Sequence, residues 1–86
     1  MYKLLKFSAN WCNPCKQMAK ELHKTPLQGV EVEEIDVEQA DDLIEVYNIS
    51  NLPTLILKDE DGKVLWRHTG YMTIQQIQQS INQIIQ

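Results

Sequence analysis

Phe7-Ser8-Ala9-Asn10-Trp11-Cys12-Asn13-Pro14-Cys15-Lys16 decides the reading of this chain. The segment joins the end of an apolar, strand-like run to the start of a helix-like one, and the only two cysteines stand at the junction. No second Cys-x-x-Cys is available to complete a four-thiolate zinc site. A helix start leaves backbone N–H groups without partners and carries partial positive charge, so a thiolate placed there is stabilised. That lowers its pKa, and the thiolate is the nucleophile in disulfide exchange. Pro14 suits the first helical turn, where its missing N–H costs nothing and its fixed φ starts the helix. A buried cysteine is otherwise an inert small hydrophobe, and a cysteine pair can be a structural staple. A loop this short gains little stability from chain entropy, so the staple is the weaker reading. The flanking Trp11 and the internal Pro14 favour redox chemistry.

Outward from the motif, hydrophobic periodicity gives the remaining elements. Tyr2 to Phe7 reads as a strand. Met18, Ala19 and Leu22 recur at helical spacing from Pro14, and Thr25-Pro26 ends that helix. Val30 to Val37 alternates glutamate with Val and Ile, a second strand. Gln39 to Tyr47 reads as a helix with Ala40, Leu43, Val46 and Tyr47 inward and Asn48 as a left-handed stop. Thr54 to Lys58 and Lys63 to His68 flank Asp59-Glu60-Asp61-Gly62 and predict a hairpin. Thr73 opens the last helix with Gln76 in capping-box spacing, and Ile74, Ile77, Ile81, Ile84 and Ile85 form its apolar stripe. The order β-α-β-α-β-β-α predicts a four-stranded mixed α/β sheet covered by helices on both faces. The first two strands should be parallel and the last two antiparallel. The cysteine motif then lies at the carboxyl end of the first strand, where open α/β sheets place their sites.

At 86 residues the chain is one domain, 1–86, and a hydrophobic share of 43% is that of a globular protein. A formal net charge of −4 argues against nucleic acid as a partner. No apolar run approaches a membrane span, and the N-terminal residues read as structure rather than as a leader, so neither membrane nor signal peptide is expected. A reactive dithiol without a secretion signal fits the cytoplasm.

Across nearly its whole length the sequence resembles the thioredoxin family. Phe7 to Lys16 resembles the family's active-site segment, and Tyr47-Asn48-Ile49-Ser50-Asn51-Leu52-Pro53-Thr54 resembles the segment that carries its cis-proline. Gly62 and Gly70 also fall at family positions. The resemblance implies a thioredoxin-like fold and a protein-disulfide oxidoreductase acting in cell redox homeostasis. It implies Cys12 as the exposed attacking thiol and Cys15 as the recessed resolving thiol. Substrate would be met by Trp11, Asn13, Pro14, Leu52, a cis Pro53 and Gly70, with Tyr71 beside it. No cofactor or metal is implied. Partners would be proteins with disulfides and an external reductase, thioredoxin reductase-like or glutathione, and the protein would be a monomer.

The sequence departs from the family in four places. The family's first strand and helix have no counterpart, a minimal outline nearer to glutaredoxins, so the second strand should be a sheet edge. Glu31, Glu33 and Glu34 suit an edge that must resist pairing with another molecule. The central dipeptide is Asn13-Pro14 rather than Gly-Pro, and Ser8 stands where a second aromatic is common. Finally, Lys6 occupies the position of the family's buried acid, while the usual lysine position aligns with Glu34. Lys6 and Glu34 are therefore candidates for proton transfer as a pair with exchanged signs, although a solvated lysine on an outward-leaning strand explains Lys6 equally well. Two other functions share these residues: a glutathione-dependent, glutaredoxin-like reductase, and a metal-binding module in which two chains contribute Cys12 and Cys15. The intact cysteine pair speaks against a redox-inactive binding module.

Overall fold

A computed structural model describes residues 1–85. Four strands, β1 (Tyr2–Ser8), β2 (Val30–Asp36), β3 (Thr54–Lys58) and β4 (Val64–Thr69), form one sheet in the order β2-β1-β3-β4. Strand β1 runs parallel to β2 and antiparallel to β3, and β3 and β4 form the antiparallel hairpin. The expected mixed sheet is present, with β1 central and the glutamate-rich β2 at an edge.

Alternation along β1 sends its side chains to two cores. Leu4 joins Leu55 and Leu57 under helices α1 (Asn13–Lys24) and α3 (Ile74–Ile85), which contribute Met18, Ile77 and Ile81. Leu5 and Phe7 point the other way and pack with Ile35 and Ile56 against Leu43 of helix α2 (Asp41–Val46) and against Tyr47, which follows it. The helices thus cover both faces, and each fully buried aliphatic or aromatic side chain contributes about 1.5–3 kcal/mol of burial. Thr73 and Gln76 form the reciprocal capping box, Gln76 N–H to Thr73 Oγ1 at 3.2 Å and Thr73 N–H to Gln76 Oε1 at 3.0 Å. The hairpin turn is held by Asp59 Oδ1, which accepts from the N–H groups of Asp61 and Lys63, both at 2.9 Å.

The second helix differs from its sequence reading. Strand β2 stops at Asp36, and Val37–Gln39 forms a single 3₁₀ turn before α2 begins at Asp41. Asp36 causes the break: its carboxylate accepts from the Glu38 N–H at 3.0 Å and caps the tight turn. Ala40, Leu43 and Tyr47 pack inward as read, whereas Val46 is 71% exposed, because at about 3.6 residues per turn it falls off the stripe those three make. Asn48 does take the left-handed conformation, φ 53°, that stops the helix. Strand β4 is displaced by one residue from Lys63–His68 to Val64–Thr69, and a register irregularity lies between Leu57 and Lys58. Among the described residues no helix is long and apolar enough to cross a membrane.

Candidate active site

Strand β1 ends at Ser8, and four residues later the chain enters α1 with Cys12 as the residue that caps its start. Cys12 has extended backbone angles, φ −92° and ψ 107°, and its Sγ accepts from the Cys15 N–H at 3.2 Å. That sulfur therefore stands where a serine or aspartate cap oxygen ordinarily stands, facing the N–H groups of the helix start. Asn13 and Pro14 occupy the first turn without acidic neighbours that would oppose a thiolate. Cys15 follows within the same turn, its Cα 5.2 Å from that of Cys12, and the two are joined as a disulfide. The separation lies within the range a disulfide spans without backbone movement.

The two sulfurs are reached from different sides. An open apolar groove of about 300 Å³ is lined by Trp11, Cys12, Val37, Ile44, Ile49 and Leu52. Trp11, 66% exposed, stands at its rim rather than in the core. On the other flank Asn13, Pro14, Gln17 and Tyr71 line a shallower apolar depression. Behind the motif, Cys15 lines a separate cleft of about 300 Å³ together with Lys6, Ser8, Lys16, Glu34 and Asp36. Cys12 is only 6% exposed and Cys15 2%, so in the disulfide form the first thiol is less open than the sequence reading expected. Its contacts with Ala9, Val37 and Leu52 explain the difference.

Leu52–Pro53 is a cis peptide bond, and Pro53 is buried. Its carbonyl accepts from the Gly70 N–H at 2.8 Å, which ties the two loops together. Gly70 has φ 109°, in the left-handed half of backbone space that a side chain disfavours. Leu52, Trp11 and Cys12 thus share one groove, Asn13 and Pro14 the next, and Gly70 reaches both through Pro53 and its neighbour Tyr71.

Lys6 is 2% exposed and its Nζ donates to Glu34 Oε1 at 3.2 Å, while the Glu34 side chain is 62% exposed. The pair forms across parallel neighbours, since Lys6 and Glu34 are register partners. The solvated-lysine reading of Lys6 is overturned, because Leu4, Lys6 and Ser8 share the face that α1 covers.

Two residues near the site had escaped the sequence reading. Glu21 is buried on α1, accepts from Lys24 Nζ at 2.6 Å, and accepts from the Ile74 N–H at the start of α3 at 2.8 Å. The Lys24 ammonium, the Ile74 N–H and the Tyr71 hydroxyl hold its carboxyl below the ordinary glutamate value, against its burial. Partial burial and the same carboxylate push the Tyr71 phenol up. Glu21 thereby fixes the turn that carries Gly70 and Tyr71. A charged residue three positions after Met18 in an apolar stripe was the available signal. The second is Arg67, whose guanidinium donates to the carbonyls of Tyr47 at 2.7 Å and Asn48 at 3.3 Å. It closes the C-terminus of α2 just before the Ile49–Leu52 wall of the Cys12 groove. No sequence pattern marks it.

Comparison with known proteins places this geometry among relatives. The thioredoxin family model matches residues 2–83. The thioredoxin of Chlamydia trachomatis is 36% identical over 69 residues, covering 78% of this chain and 67% of the relative. That of Mycoplasma pneumoniae is 32% identical over 82 residues, covering 93% and 79%. Among solved structures, chloroplastic thioredoxin z superposes with a TM-score of 0.82 at 32% identity, covering 98% of this chain and 78% of that one.

Proposed function

The chain belongs to the thioredoxin family and is a thiol–disulfide oxidoreductase with Cys12 and Cys15 as its redox pair, and on that premise we propose how its residues divide the work. Cys12 is the attacking thiol. The observation that carries this assignment is the Cys12 sulfur at the N-terminal cap of α1, on the floor of the apolar groove. As thiolate it attacks a substrate disulfide, forming a mixed disulfide and releasing the first substrate thiolate, which takes up a proton. Cys15 then attacks the Cys12 sulfur, releasing the second substrate thiolate and closing the Cys12–Cys15 disulfide. Two electrons have passed from the protein to the substrate.

Members of this family reduce protein disulfides and are restored by a reductase. Here the groove walls formed by Trp11, Ile49 and Leu52 suit an extended apolar segment beside the substrate disulfide, with Pro53 and Gly70 fixing the wall from below. Asn13 and Pro14, with Tyr71, extend the apolar surface on the other flank. We place the protein as a monomer in a reducing compartment such as the cytoplasm, which a dithiol that must be regenerated requires. The test is reduction of a protein disulfide such as that of insulin, with regeneration by thioredoxin reductase in one arm and by glutathione with its reductase in the other. Turnover in the first arm only supports the thioredoxin-type reading. Turnover in the second only assigns the glutaredoxin-like one. Cys12→Ser must abolish both.

A further inference from the structure

Lys6 is the one charged side chain of the Cys15 cleft that is withdrawn from solvent. Of the other ionisable groups lining it, Lys16 and Glu34 are exposed and Asp36 is half-buried, with its carboxylate accepting from the Glu38 N–H. Water screens charges at such rims, whereas a buried charge is screened far less. An ammonium has three donors, and Glu34 takes one of them at 3.2 Å. The remaining neighbours in the cleft are Ser8, Ala9, Asn10 and Ala19, which carry no charge.

Resting on the reading of Cys15 as the resolving thiol, we propose that the buried Lys6 ammonium drives ionisation of Cys15 by its field, with Glu34 as its counter-ion rather than as the proton acceptor. Lys6 and Cys15 line the same cleft and are each 2% exposed, and a nearby, poorly screened positive charge favours the thiolate; a tenfold gain in ionisation is at the modest end of such effects. In the mixed disulfide the Cys15 proton passes to water in the cleft. The resulting thiolate attacks the Cys12 sulfur, the Cys12–Cys15 bond forms, the bond from Cys12 to the substrate breaks, and the departing substrate thiolate takes up a proton. The Glu34 carboxylate opposes this field, so its position at the solvent rim, with its charge partly screened, preserves most of the Lys6 effect. A carboxylate serving as the base would instead have to reach the buried thiol, and this one is engaged with Lys6 at 3.2 Å with its side chain 62% exposed.

The signs of two substitutions separate these roles. Reduced protein is mixed with the small aromatic disulfide 5,5′-dithiobis(2-nitrobenzoic acid), and release of the coloured thiolate is followed against pH. The first phase reports attack by Cys12 and the second reports attack by Cys15 on the mixed disulfide. Lys6→Met should move the second-phase profile to higher pH, with about a tenfold loss of rate near neutrality and convergence with the parent at high pH. Lys6→Arg should restore the parent profile. Glu34→Gln, which leaves Lys6 unopposed, should move the second phase to lower pH and speed it near neutrality. A second phase in Lys6→Met that is unmoved, or slowed equally at every pH, overturns the proposal. So does a second phase in Glu34→Gln that is unchanged or slowed, and this variant decides the matter alone if Lys6→Met does not fold. Absence of the first phase in the parent, by contrast, removes the Cys12–Cys15 assignment on which the proposal rests.

Discussion

The Lys6–Glu34 pair predicts an asymmetry in stability that runs against burial: replacing the exposed partner should cost more than replacing the buried one. At the observed 3.2 Å, the attraction between two unit charges is about 5 kcal/mol at an effective dielectric of about 20 and roughly 1.3 kcal/mol in water. Glu34 is 62% exposed, so the realised coupling belongs near the lower figure, about 1–2 kcal/mol. Glu34→Gln removes that attraction and leaves the Lys6 ammonium buried with a neutral partner, a loss of about 1–2 kcal/mol. Lys6→Met keeps the aliphatic stem packed beneath α1 and leaves Glu34 in water, where it has no charge to miss. Its cost should stay within about 1 kcal/mol in either direction, because a buried ion is exchanged for a hydrophobe of similar shape. The double variant should match Lys6→Met alone, which is the signature of coupling. Urea unfolding of the oxidised proteins reads this directly. With a slope of about 1 kcal/mol per molar for so small a domain, Glu34→Gln should lower the midpoint by about 1–2 M. A Lys6→Met variant that loses about 3 kcal/mol or more, or a Glu34→Gln variant with the parent midpoint, refutes the reasoning.

After reduction, alkylation near neutral pH followed by peptide mass analysis should find Cys12 modified first, because its sulfur caps α1; preferential modification of Cys15 contradicts the assignment. Correspondingly, Cys15→Ser should accumulate mixed disulfides with protein substrates on non-reducing gels, and Cys12→Ser should not. Glu21 makes a pH prediction of definite sign. Its folded pKa lies below the ordinary value of 4.5, so its contribution is complete above that pH and is lost as the pH falls through the folded value. Glu21→Gln should therefore be less stable than the parent at neutral pH, and its melting temperature should fall less steeply on acidification; parallel profiles refute this. Arg67→Ala should raise KM for a protein disulfide several-fold while leaving the reaction with a small aromatic disulfide unchanged, since Arg67 holds the carbonyls of Tyr47 and Asn48, just before the Ile49–Leu52 wall, and does not touch the sulfurs.

What the sequence reveals here depends on whether an interaction is carried by a repeating pattern or by packing between elements far apart in the chain. Alternation located Leu4, Leu5 and Phe7 on β1, and helical spacing located Met18 on α1 and Ile77 and Ile81 on α3, because each pattern is local and the core merely accepts it. Val46 is exposed for an equally local reason: Ala40, Leu43 and Tyr47 face inward as read, and helical spacing puts Val46 off the stripe they make. Lys6 and Glu34 are 28 residues apart, and their meeting was legible only through the family resemblance, which aligned them with an acid–lysine pair on neighbouring strands; the observed parallel register then brings them together. Glu21 and Ile74 are 53 residues apart, and nothing comparable fixes how α1 meets α3. Helix packing depends on side-chain size and crossing angle, with no backbone ladder to set the register. Glu21 could thus be marked as a charge in an apolar stripe, but its partner could not. The same distinction explains the site. Cys12 and Cys15 sit in one turn and announce themselves, whereas the walls of the groove beside Cys12 are assembled from the β1–α1 loop, the Val37–Gln39 turn, α2 and the α2–β3 loop. Substitutions in those walls should therefore alter substrate choice before they alter the chemistry of the sulfur pair.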